Sequence, residues 1–78
     1  MIQIGKTYKV NHERKGNFIM TVTGMNDEWV TGIIVGGKAH AMLRDNEREK
    51  GEEITVRQSF CIFTEQQLEV NNEKNNIR

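Results

Sequence analysis

Polar and apolar residues alternate with a period of two along most of this chain. Tyr8, Val10 and His12 share even parity around Lys9 and Asn11, and Ile2 and Ile4 keep that parity. Phe18, Met20 and Val22 alternate with Ile19, Thr21 and Thr23, and Ile54 and Val56 alternate with Glu53, Thr55 and Arg57. Such runs predict strands with one buried face, and their Thr, Val, Ile and aromatic content suits a pleated surface. Trp29–Val35 is apolar on both parities, which predicts the most buried strand. Gly32 at its centre predicts a bulge or a sharp bend.

Turn residues punctuate these runs. Arg14-Lys15-Gly16-Asn17 separates the first strand from the second, and Gly24-Met25-Asn26-Asp27 separates the second from the third. Gly36-Gly37 predicts a primed hairpin turn, which needs positive φ at both central residues. That turn would pair Lys38–Leu43, read as a strand, with Trp29–Val35. The segment from Asp45 to Gly51 has an N-cap residue, Glu47 in a first turn, Lys50 in a last turn and Gly51 as the C′ residue, so it predicts a short helical turn. Glu53–Arg57 and Phe60–Thr64 are read as a last pair of strands, with Gln58-Ser59 as a tight or 3-10 connection. Beyond residue 66 the pattern decays into a polar, Asn-rich stretch with no face to bury, so 67–78 is expected to be a flexible tail.

Five to six short antiparallel strands with one short helical turn predict a mainly β fold in a single domain, residues 1–66. A small SH3-like barrel fits best, since closure removes strand edges that a chain without Pro cannot blunt. An OB-fold is the alternative, and it would need a helix over Lys38–Lys50. Gly5-Lys6-Thr7-Tyr8-Lys9-Val10, the Gly16–Val35 hairpin with its Trp29-Val30-Thr31 entry, and Gly51-Glu52-Glu53-Ile54-Thr55-Val56 resemble strands of SH3-like barrels, over residues 5–64. In size and texture the chain also resembles small accessory proteins of bacteriophages and prophages. That resemblance implies a non-enzymatic module, an accessory or inhibitor acting on a host or phage protein.

Composition narrows the classes. A 78-residue chain buries roughly 60% of its unfolded surface, enough for one core and no second domain. No apolar run approaches the ~20 residues of a membrane helix. A single Cys excludes a disulfide framework. The N-terminal residues lack a signal-like apolar run, and a lone thiol suits a reducing compartment, so a cytoplasmic protein is expected. Net charge is zero and the pI is about 6.7, which disfavours a strongly basic nucleic-acid binder. The zero is a cancellation, however. Residues 1–25 hold four basic side chains against one acidic, a net +3, offset by −2 over 26–52 and −1 over 53–78.

Candidate chemistry is sparse. Cys61 with His12 or His40 has the residue types of a thiol nucleophile and its base, but a free Cys between Phe60 and Ile62 reads as a packed strand residue. No C-x-x-C or H-x-x-x-H spacing suggests a metal. Gly36-Gly37-Lys38 lacks the distal Gly and the hydroxyl residue of a phosphate loop. Carboxylates at Asp45, Glu47, Glu49, Glu52 and Glu53 interleave with Arg44, Arg48 and Lys50, as on a solvated, self-neutralising surface. By parity Phe18 and Phe60 are core, leaving Tyr8, Trp29 and Phe63 for an aromatic rim. No cofactor, metal or catalytic group is expected. The candidate binding surface comprises Lys6, Lys9, Arg14, Lys15, Trp29, Lys38, Arg44 and Arg48, since Trp, Tyr and Arg dominate protein hot spots. A protein partner is the first expectation. Nucleic acid held by Lys6, Lys9, Arg14, Lys15 and Lys38 is the second, and a homodimer through an unpaired edge strand is a further expectation.

Overall fold

The computed structural model describes residues 2–40 and 47–66. The expected tail, 67–78, and the segment 41–46 with Arg44 lie outside the described residues. The protein is mainly β: the described residues form six antiparallel strands in one sheet. They are β1 Thr7–His12, β2 Gly16–Asn26, β3 Trp29–Ala39, β4 Arg48–Glu49, β5 Glu53–Arg57 and β6 Cys61–Glu65, with a 3-10 turn, Gln58–Phe60, between the last two. The strand path runs β4-β3-β2-β1-β6, and β5 also pairs β3. Among the described residues no ladder joins β5 to β6, so the sheet stays open there.

The period-two runs place the core. Tyr8, Val10, Phe18, Met20, Val22, Val30, Ile34, Ala39, Ile54 and Val56 are buried and form one cluster. They come from β1, β2, β3 and β5; β6 adds only Cys61 and Phe63, partly buried against that cluster. Tyr8 is thus a core residue rather than a rim aromatic. Its ring meets the edge of Phe63 at 5.9 Å, and its hydroxyl accepts the Gln3 N–H at 2.8 Å. Ile4 keeps the parity of β1 but lies ahead of the strand and is exposed.

Two bulges bend the long β2–β3 hairpin. Thr23 is the extra residue between the Val22–Gly32 and Gly24–Thr31 pairs, and Val35 is the extra residue between Met20–Ile34 and Ile19–Gly36. A bulge increases the local twist and re-aims side chains. Gly32 is not itself a bulge residue: it pairs with Val22 beside the Thr23 bulge, and contact requires its glycine, since a Cβ there would collide with the Met20 side chain and the Thr21 carbonyl. The Thr23 bulge also lets β2 continue to Asn26, so the turn is Asp27-Glu28 rather than Gly24–Asp27.

Gly36-Gly37 is not a hairpin turn. Both residues stay in β3, opposite Ile19 and Phe18. Gly37 does take a left-handed φ of 74°, so the positive φ inferred from the sequence bends a strand instead of ending it. Lys38-Ala39 accordingly belongs to β3, and the rest of the expected Lys38–Leu43 strand falls beyond it, 41–43 outside the described residues. The helical turn expected over Asp45–Gly51 is absent from its described part: Arg48-Glu49 pairs Lys38-Ala39 as β4, and Lys50-Gly51 is a turn. Among the described residues the helical turn is the 3-10 turn at Gln58–Phe60. With Lys38-Ala39 and Arg48-Glu49 in strands, the described ends of Lys38–Lys50 are not helical as an OB-fold would need, and 41–46 lie outside the described residues. β5 and β6 pair β3 and β1, not each other.

Candidate functional site

The 3-10 turn places side chains across the open side of the sheet. β5 ends with Arg57 opposite Trp29, at the Asp27-Glu28 turn. β6 begins with Cys61 opposite His12, at the β1–β2 turn. Three residues connect the two places, and Phe60 lies between them. The Arg57 guanidinium sits 5.7 Å from the Trp29 ring centroid and 5.9 Å from that of Phe60. Its Nε donates to Glu28 Oε1 at 3.0 Å, and the Gln58 N–H donates to the Glu28 carbonyl at 2.7 Å. Phe60 in turn meets the edge of His12 at 5.9 Å. Trp29 is 46% exposed and Phe60 36%, so a cation held by two half-open aromatic faces lies at the surface. At such exposure each cation–π contact contributes about 0.5–1 kcal/mol, enough to orient the guanidinium.

The β1–β2 turn, Glu13-Arg14-Lys15, carries two of the expected basic residues. His12 is buried and its Nδ1 accepts the N–H groups of Arg14 and Lys15 at 3.0 and 3.1 Å. The Lys15 carbonyl accepts the His40 N–H at 2.8 Å, tying the turn to the end of β3.

The other expected residues are dispersed. Lys6 precedes β1 and pairs with Glu65 at 3.1 Å. Lys38 lies between Glu47 at 3.7 Å and Glu49 at 3.9 Å. Arg48, on β4, turns a guanidinium N–H to the Glu47 carbonyl at 3.1 Å. Lys9 is exposed on the outer face of β1. Among the described residues Lys9, Arg14 and Lys15 have no carboxylate within ion-pair distance. Among the described residues the basic surface therefore divides into a neutralised group, Lys6 and Lys38, and an unneutralised one, Lys9 with the β1–β2 turn and, apart from it, Arg48.

Sequence reasoning missed Arg57 and misplaced Phe60, which is not core. The parity of Ile54 and Val56 marked Arg57 as solvent-facing. That it meets Trp29 required the β3–β5 register, which places Trp29 opposite Arg57.

His12 and Cys61 are cross-strand partners, which brings the expected thiol and imidazole to adjacent strands. Their chemistry is turned elsewhere. The Cys61 thiol donates to the Arg57 carbonyl at 3.4 Å, and burial, followed by the Glu13 carboxylate, pushes its pKa up to about 11. A nucleophilic thiol needs the opposite shift. No group of three or more His, Cys, Asp or Glu among the described residues is placed to hold a metal ion, and no helix among them is long and apolar enough to cross a membrane.

No family model, curated protein or solved structure matches the chain.

Proposed function

We propose that this protein is a non-enzymatic binding module that recognises another protein through the surface running from Trp29 over Arg57 and Phe60 to the Arg14-Lys15 turn. The observation that carries this reading is the exposed Trp29–Arg57–Phe60 stack. Trp and Arg are the residue types that dominate hot spots. Here they are pre-ordered by Glu28 and by each other, so little side-chain entropy remains to be lost on association. The protonated thiol and the acceptor role of His12 support a non-catalytic reading. The phage-type accessory or inhibitor role belongs to the same proposal, and it makes the partner a host or phage protein in the cytoplasm. The test is affinity capture with the full chain, comparing wild type with Trp29→Ala and Arg57→Ala. A partner retained by wild type and lost by at least about tenfold in affinity from both variants supports the reading. A partner bound equally by all three removes it.

The unneutralised cations Lys9, Arg14 and Lys15 favour a second reading, a small nucleic-acid-binding β-sheet module. Phosphate contacts release counterions, so affinity for DNA or RNA would fall steeply with salt. It would fall further in an Arg14→Ala/Lys15→Ala double variant. Absence of any mobility shift at low salt ends that reading and leaves the first untouched.

A further inference from the structure

One imidazole holds the β1–β2 turn from the inside. His12 is 5% exposed, and its Nδ1 accepts two backbone N–H groups, from Arg14 and Lys15. An imidazole nitrogen accepts only while it carries no proton. The arrangement therefore requires the neutral tautomer with the proton on Nε2. Protonation would turn Nδ1 into a donor facing two donors, and both bonds would be lost together.

The surroundings oppose the charged form. On the turn itself Lys15 and Arg14 disfavour a second cation, and Glu13 alone favours it. From β6 the facing group is the Cys61 thiol, neutral at physiological pH. From the 3-10 turn it is the uncharged Phe60 ring. On β2 the partner of His12 is Gly16, and the His40 ring lies against that glycine. Burial, the largest cause, and these cations hold the His12 pKa below its ordinary value.

We propose that the β1–β2 turn is a proton-operated latch: neutral His12 holds Arg14 and Lys15 in place, and a proton on Nδ1 releases them. Phe60 joins the latch to the Arg57–Trp29 stack, since its ring packs on His12 and its carbonyl accepts the Glu13 N–H at 3.0 Å. The acid form thus frees the basic tip and loosens the neighbouring aromatic surface. This device stands whichever partner the surface takes.

The test is a titration of the ¹⁵N-labelled full chain by NMR, from about pH 8 to about pH 4.5. At the alkaline end the long-range imidazole spectrum should show His12 Nδ1 bare and Nε2 protonated. On acidification the Arg14 and Lys15 amides should follow the His12 curve and lose about tenfold or more of their exchange protection, while Val10, Met20 and Val30 keep theirs. His40→Gln should leave this transition in place. Glu13→Gln should move it to lower pH, because the group that favours the cation is gone. His12→Leu should abolish it. Should that variant fail to fold, the wild-type imidazole spectrum and the two other variants decide. A protonated Nδ1 at pH 8, amides that track His40 or do not respond, or protection lost across the whole sheet at once would each overturn the latch.

Discussion

At the scale of single residues, Gly32 and His12 carry consequences that composition does not show. Gly32 lies on β3 opposite Val22 of β2, and a methyl group there meets the Thr21 backbone carbonyl as well as the flexible Met20 side chain. Only the side chain can yield. Gly32→Ala should therefore cost about 2–3 kcal/mol, in the range of overpacked cores. Gly24→Ala, with open space at its Cβ and no positive φ, should stay within about 0.5 kcal/mol of wild type. Urea midpoints at unchanged m-value would check both. His12 gives stability a pH dependence of fixed sign. Its pKa is held below the ordinary 6.5 in the fold, so between the two values the unfolded chain binds more protons and stability rises with pH. The contribution is complete above about 6.5 and is lost as pH falls through the folded value. Denaturant midpoints should decline on acidification from about pH 6.5, and His12→Leu should remove that decline, although it lowers stability overall.

At the scale of elements, β1, β2 and β5 were legible because their parity is unbroken. Tyr8, Val10, Phe18, Met20, Val22, Ile54 and Val56 are all buried, as alternation predicts. Errors began where a bulge shifts that parity or a glycine bends a strand. The Thr23 bulge moved the hairpin turn two residues onward, and Gly36-Gly37 carried β3 forward instead of turning it back. Both turn on how a strand meets its neighbour, and neighbours are not written in local sequence. Capping residues around Asp45–Gly51 suggested a helical turn, but pairing with Lys38-Ala39 overrode that weak propensity. Of the candidate site, Trp29, Arg14 and Lys15 were found from residue type. Arg57 was not, because its meaning comes from its position between two rings. The elements also differ in how firmly they are held. Among the described residues β6 contributes no fully buried residue and pairs β1 alone. Its ladder amides should exchange through small local openings, faster than those of β2 and β3 by about tenfold or more. Equal protection in β2 and β6 would show that the sheet opens as one unit.

At the scale of the whole molecule, zero net charge conceals an ordered distribution. Lys6–Glu65 and Lys38–Glu47/Glu49 join cations of the basic first half to acids that follow later in the chain. Exposed pairs of this kind contribute about 0–1 kcal/mol each, so their main effect is on the field the molecule presents. Among the described residues, cations without a carboxylate partner stand at Lys9 and the β1–β2 turn, and at Arg48 and Lys50 beside the acidic residues of the β4 region. The open side of the sheet has a further consequence, in the order of folding. β1, β2 and β3 follow one another as hairpins whose ends meet across short loops, whereas β6 reaches β1 only by closing the chain between Tyr8 and Glu65. Long closures carry an entropy cost that local pairings avoid, and they form late. Val30→Ala, in the hairpin core, should slow refolding, while Phe63→Leu in β6 should leave the refolding rate unchanged and speed unfolding instead. Stopped-flow chevrons would separate the two. The strand that anchors the 3-10 turn carrying Phe60 is then the last to arrive and the first to leave, and the lifetime of the Trp29–Arg57–Phe60 stack is set by the unfolding rate of β6.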